Sequence, residues 1–100
     1  MPVQVSPMDT KDQSIVVSVS GRFDYSVHKE FRNSYIDVNA RSYRVDLSKA
    51  EYMDSSALGM LLLLKEHADK SSATINICHP QPMVRKVLEI ANFNRFFKIS

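Results

Sequence analysis

The chain reads as one α/β domain over residues 1–100: a mixed, mostly parallel β-sheet with an N-terminal hairpin and about three helices, in the order β-β-α-β-α-β-α-β. Two observations predict this class. Short β-branched segments alternate with segments of helical period from residue 26 onward, which implies parallel strands joined by right-handed crossovers. The balance of 44% hydrophobic and 24% charged residues is that of an ordinary folded domain, and no repeat or linker interrupts it.

Val3 and Val5 alternate with polar neighbours and read as a short edge strand flanked by Pro2 and Pro7. The segment from Pro7 to Gln13 is turn-like, so Ile15–Ser20, bounded by Gly21, pairs back as the second arm of a hairpin. From Ser26, a candidate N-cap, Val27, Phe31, Tyr35 and Val38 recur at helical spacing. Tyr43, Val45 and Leu47 alternate with Arg44 and Asp46 as the central strand. Residues 55 to about 70 form the second helix, apolar on nearly every side until Lys65. Thr74–Cys78 is a strand, and Pro82 suits the first turn of a third helix with Val84, Val87, Leu88 and Ala91 inward. Asn92 is placed to stop that helix in a left-handed turn, and Phe96, Phe97 and Ile99 form the last strand.

Composition excludes several functions. Thirteen Lys and Arg against eleven Asp and Glu form no basic stripe, which argues against nucleic acid. The one cysteine, Cys78, permits no internal disulfide. Cys78-His79 lacks the ligand set of a structural zinc site, and His28 and His67 fall in other helices, so no metal and no cofactor are expected. Ser55 has no histidine predicted beside it to act as a base, and no glycine-rich phosphate loop is present, so an enzyme is not expected. Nothing resembles a signal peptide, and the longest uncharged apolar run, residues 57–64, is too short to cross a bilayer. A cytoplasmic protein without membrane contact is the expectation.

Function is sought where the central strand's carboxyl end meets the second helix. There stands Asp54-Ser55-Ser56-Ala57-Leu58-Gly59, followed by Met60. The free N–H groups of a first helical turn favour negative charge, so a phosphate on Ser55 would be well hosted. The plainer reading is that Asp54 or Ser55 caps the helix and Gly59 eases packing on the sheet. The residues alone leave both open.

Tyr52-Met53-Asp54-Ser55-Ser56-Ala57-Leu58-Gly59 resembles the signature of STAS-domain anti-sigma factor antagonists. Gly21-Arg22-Phe23-Asp24, Val45-Asp46-Leu47-Ser48 and Val84-Arg85-Lys86-Val87-Leu88 are similar to further segments of that family, so the likeness covers nearly the whole chain. The resemblance implies the STAS fold and a partner switch. The unphosphorylated form binds an anti-sigma factor or a regulatory serine kinase. Ser55 is the phosphorylated residue, and a PP2C-type phosphatase, or a response regulator carrying one, reverses the modification. Asp24, Asp54, Ser55, Ser56, Ala57, Gly59 and Met60 form the implied partner surface, on a protein that is monomeric when free. Ala57 stands where the family usually has Gly, and the extra C-terminal helix of many relatives is not expected. The runner-up is a STAS regulatory subunit of a lipid-transport ABC transporter, docked statically on an ATPase.

Overall fold

The computed structural model describes residues 2–100. Five strands form one sheet in the spatial order β1-β2-β3-β4-β5: β1 Val3–Val5, β2 Ser14–Phe23, β3 Ser42–Met53, β4 Thr74–Cys78 and β5 Lys98–Ile99. β1 pairs antiparallel with β2, and the other three pairings are parallel. Three helices make the crossovers: α1 His28–Asn33, α2 Ser55–Asp69 and α3 Pro82–Ile90. Because each parallel step moves one place in the same direction, right-handed crossovers put all three helices on one face.

Side-chain alternation matches that arrangement. Ile15, Val17 and Val19 on β2, Tyr43, Val45 and Leu47 on β3, and Ile75 and Ile77 on β4 are buried. Their alternates Val16, Ser18, Arg44, Asp46, Asn76 and Cys78 remain partly or fully exposed. The core therefore lies between the sheet and the helices, and the far sheet face is polar and open. Burial pushes the Cys78 thiol up from its usual range, which disfavours the reactive thiolate.

The element order follows the sequence expectation, and the boundaries differ for identifiable reasons. β2 runs through Gly21 to Phe23 instead of stopping at Ser20. Gly21 takes φ +73° inside the strand, where the register with β3 shifts. β3 spans twelve residues against ten in β2, and its two extra residues are absorbed as bulges after Ser18 and Gly21 of the partner. The first helix does not start from Ser26. Asp24 caps a single 3₁₀ turn, Tyr25–Val27, and α1 follows with only six residues. Tyr35 stays buried beyond its end because turns continue the helical period, with the Tyr35 N–H donating to the Arg32 carbonyl and the Val38 N–H to that of Tyr35.

At the C-terminal end, Asn92 adopts φ +59° as expected and opens a 3₁₀ turn, Phe93–Arg95, after which Phe96 and Phe97 lie in a turn and a bend instead of in the predicted strand. The rings of Phe93 and Phe97 pack tilted against each other in the core and Phe96 is left half exposed, so β5 keeps only two residues. On α3, Val84 and Leu88 are fully buried, whereas Val87 and Ala91 pack at the core's margin.

α2 resolves what its apolar run left ambiguous. Ala57, Met60, Leu61, Leu64 and Ala68 face the core, and Leu62 and Leu63 face out, 41% and 54% exposed. Leu61→Ala is expected to cost about 2–5 kcal/mol by opening a cavity. Leu63→Ala, two residues on, should stay within about 0.5 kcal/mol of the parent. Urea unfolding of the two variants checks the pair, and equal losses would contradict this orientation of α2.

Candidate functional site

Phe23 and Met53 are paired in register at the ends of β2 and β3. Both are buried, so the two strands finish level, and the next residues, Asp24 and Asp54, leave from adjacent points on the sheet's carboxyl edge. Each aspartate then does the same job. Asp54, extended at φ −120° and ψ −174°, caps α2 by accepting from the Ala57 N–H at 3.2 Å, and its Oδ1 also accepts from the Ser56 hydroxyl at 2.6 Å. Asp24, extended at φ −139° and ψ −170°, caps the 3₁₀ turn by accepting from the Ser26 N–H at 3.0 Å and from the Ser26 hydroxyl. Asp-x-Ser is thus used twice, side by side.

In each unit the middle residue is turned outward. For β2 it is Tyr25, 65% exposed, which stacks on His28 at 4.0 Å between ring centroids. For β3 it is Ser55, which is exposed and whose hydroxyl makes no hydrogen bond among the described residues. The cap is supplied by Asp54 and the inner hydroxyl is occupied at Ser56, so Ser55 is free of structural duty. Its own N–H and that of Ser56 belong to the first turn of a fifteen-residue helix and have no intrahelical acceptor.

Arg22 completes the edge. Its Nε donates to Asp24 Oδ2 at 3.1 Å, and its guanidinium lies 4.3 Å from the centroid of the Tyr52 ring on the neighbouring strand. The Ser26 hydroxyl first, and then Arg22, hold the Asp24 carboxyl below the usual carboxylate range. The carboxylate is therefore ionised at neutral pH and remains a hydrogen-bond acceptor.

Five of the residues expected to form the partner surface share this edge with outward-facing atoms. Asp24, Asp54 and Ser56 are partly exposed, and Ser55 and Gly59 are exposed. Two are not on the surface. Ala57 is fully buried and Met60 nearly so, because positions three and six residues after the cap fall on the helix face that meets the core. Ala57 corrects the expected surface and contributes by packing instead of contact, whereas Met60 keeps a small exposed part in the wall of a hollow beside Tyr25 and Leu63. A Cβ added at Gly59 would meet nothing within 4 Å, so the close-packing explanation for this glycine does not hold. The sequence reading missed Tyr25 and Arg22; the repeated Asp-x-Ser at residues 24–26 and 54–56 was a signal that would have pointed to Tyr25. No group of three or more His, Cys, Asp or Glu gathers to hold a metal among the described residues. No described helix is long and apolar enough to cross a membrane.

Comparison with known proteins agrees with this architecture. The family model described as "Mlab, STAS domain" matches residues 7–99. A STAS-domain-containing protein of Pseudomonas aeruginosa is 48% identical over 90 residues, covering 88% of this chain and 89% of the relative. BtrV of Bordetella bronchiseptica, a candidate anti-sigma factor antagonist, is 28% identical over 65 residues, covering 65% of this chain and 56% of its own. Among solved structures, the anti-sigma factor antagonist SpoIIAA in its unphosphorylated form superposes with a TM-score of 0.82 at 17% identity, covering 98% of this chain and 87% of that one. The phosphorylated form of Bacillus SpoIIAA gives 0.70 at 15%, with coverages of 98% and 90%. A sulfate transporter family protein of Wolinella succinogenes gives 0.73 at 12%, with coverages of 83% and 70%. A family match over nearly the whole length, on a fold shared with anti-sigma factor antagonists, makes this chain a member of the STAS-domain family.

Proposed function

We propose that this protein is an anti-sigma factor antagonist that works as a phosphorylation-controlled partner switch, with Ser55 as the modified residue. Unphosphorylated, it binds an anti-sigma factor or a regulatory serine kinase; phosphorylation of Ser55 changes that binding and a PP2C-type phosphatase restores it. It acts in the cytoplasm, as a monomer when free, and performs no catalysis itself. One observation carries the proposal: Ser55 is exposed and unbonded at the positive end of α2, while Asp54 and Ser56 do the capping around it. A kinase can reach that hydroxyl, and its modification leaves the cap in place. The fold is shared with SpoIIAA, which exists in both phosphorylated and unphosphorylated forms.

The size of the effect is adequate for a switch. A phosphoryl group adds a charge of about −1.5 to −2 at neutral pH. Asp54 and Asp24 already stand on this edge, and a partner docked here without a matching cation would face an added unpaired charge. Such charges weaken interfaces by about 2–5 kcal/mol, which is roughly 1.5 to 3.5 powers of ten in affinity. No refolding is needed.

A STAS regulatory subunit of a lipid-transport ABC transporter is the second reading, and a sulfate transporter family protein among the structural neighbours shows the same fold in a transporter. Copurification separates the two: an ATPase and permease support the transporter role, and an anti-sigma factor or serine kinase supports the switch.

Ser55→Asp should lose its unphosphorylated-state partner in a pulldown while keeping a wild-type melting curve; undiminished binding refutes the switch. Ser55→Ala should bind constitutively and show no shifted band on a phosphate-sensitive gel, and a band that persists assigns the modification elsewhere. Gly59→Ala should raise stability by about 1 kcal/mol, since the helix gains a better former at a site with open space. If the partner approaches at Gly59, the same variant also weakens the pulldown.

A further inference from the structure

Arg22 is anchored on the edge that carries Ser55, and most of its guanidinium is uncommitted. Its Nε donates to Asp24 Oδ2 at 3.1 Å, and among the described residues neither η nitrogen donates a hydrogen bond. The side chain is 68% exposed yet held from a second direction, because the guanidinium lies 4.3 Å from the centroid of the Tyr52 ring. Tyr52 is the register partner of Arg22 on β3, so this contact draws the guanidinium across to the strand that runs into Ser55. The bond to Asp24 draws it to the strand ends at the same time. Asp24 and Asp54 leave from adjacent strands, about 4.8 Å apart, and Ser55 stands one residue, about 3.8 Å, beyond Asp54. A guanidinium fixed between Tyr52 and Asp24 therefore occupies the same corner of the sheet as the start of α2.

Asp24 can share this arginine. Its Oδ1 takes the Ser26 N–H and hydroxyl while Oδ2 takes Arg22, so the cap does not depend on the guanidinium. Free η nitrogens in a planar fork are the donor set that binds phosphate oxygens most strongly. We propose that Arg22 receives the Ser55 phosphate within the same molecule, with Nε kept on Asp24 and both η nitrogens turned to the phosphate oxygens. Phosphorylation then builds a chain of charge from Asp24 through Arg22 to the phosphate, across the ends of β2 and β3. It fixes the position of the new charge and takes the open donors away from this edge. The modified protein thus presents a second ordered surface in place of the first. The inference rests on Ser55 as the modified residue and adds the side chain that holds the product.

The test uses the full chain with phosphoserine installed at residue 55 during synthesis, and follows the phosphate by ³¹P NMR across pH. The carboxylates of Asp24 and Asp54 disfavour the phosphate dianion and raise its second pKa, whereas a bound Arg22 favours the dianion and lowers it. Arg22→Gln should therefore move the phosphate titration up by about one pH unit. Arg22→Lys, which keeps the charge and loses the fork, should recover part of that difference. Lys70→Gln, at the far end of the fifteen-residue α2, should titrate as the parent does. Glu51 of β3 and His28 of α1 are the same in every variant, so their charges do not enter the comparison. In the parent sequence, installing the phosphate should also shift the Arg22 Nε–H resonance, a readout that needs no variant to fold. A phosphate that titrates alike in the parent and in Arg22→Gln, or an Arg22 resonance that does not move, overturns the proposal. Because the phosphate is installed, a Ser55 never modified in cells would refute the switch and leave this pairing standing, and a failed titration would leave the Ser55→Asp pulldown standing.

Discussion

Pairing of β2 with β3 is the constraint from which the site follows. Two strands of unequal length, ten and twelve residues, must end level if Phe23 and Met53 are both to be buried at the same edge. Bulges on β3 take up the difference, and Gly21 supplies the left-handed backbone needed at one of them. At the first bulge the Asp46 carboxylate accepts from the Ser48 N–H at 2.9 Å, and the Gln81 amide donates to the Ser48 carbonyl at 2.8 Å, so the irregular backbone is held from two sides. A one-residue slip would turn every buried side chain of β3 to the open face. It would also separate the two aspartates.

With the strands level, one short chemical unit is used twice. An aspartate in extended conformation turns the chain upward, its carboxylate takes the N–H and hydroxyl of the serine two residues on or the N–H beyond, and the intervening residue is left outward. The carboxylate satisfies donors that a helix start would otherwise leave unpaired. The division of labour at residues 54–56 is the useful consequence. Because Ser56 and Asp54 are committed to structure, Ser55 is available to chemistry without cost to the fold. On β2 the same outward position holds Tyr25, an aromatic group suited to contact.

α2 extends the pattern along its length. Its inward face, Ala57, Met60, Leu61, Leu64 and Ala68, is sufficient to seat the helix on the sheet. Leu62 and Leu63 lie off that inward face and are about half exposed, and Leu63 lines a hollow with Tyr25 and His28. Apolar side chains left out of a core and close together on one helix are what a surface built for association would have. They also explain why the run of four leucines carries little amphipathic signal: the helix serves two apolar surroundings, one inside the protein and one at its surface.

Much of the fold was legible without coordinates, because alternation of β-branched segments with helical periods reports strands and crossovers directly, and Pro82 and Asn92 mark the ends of α3 by their backbone preferences. The position of the Asp54-Ser55-Ser56 turn at a strand's carboxyl end followed from the same order. Other features depended on contacts between distant segments. The bulges, the shortened α1 and the two-residue β5 arise where packing of Phe23, Tyr35 and Phe97 overrides local propensity, and no local pattern reports that. That Ser56 is the serine turned inward follows from its place one step further into the helix and from its local bond to Asp54, whereas the burial of Ala57 and Met60 depends on which face of α2 meets the sheet. Sequence determined the elements and the chemistry available at their ends, since those depend on neighbouring residues; tertiary structure decided what faces solvent, since exposure is set by what packs from elsewhere in the chain.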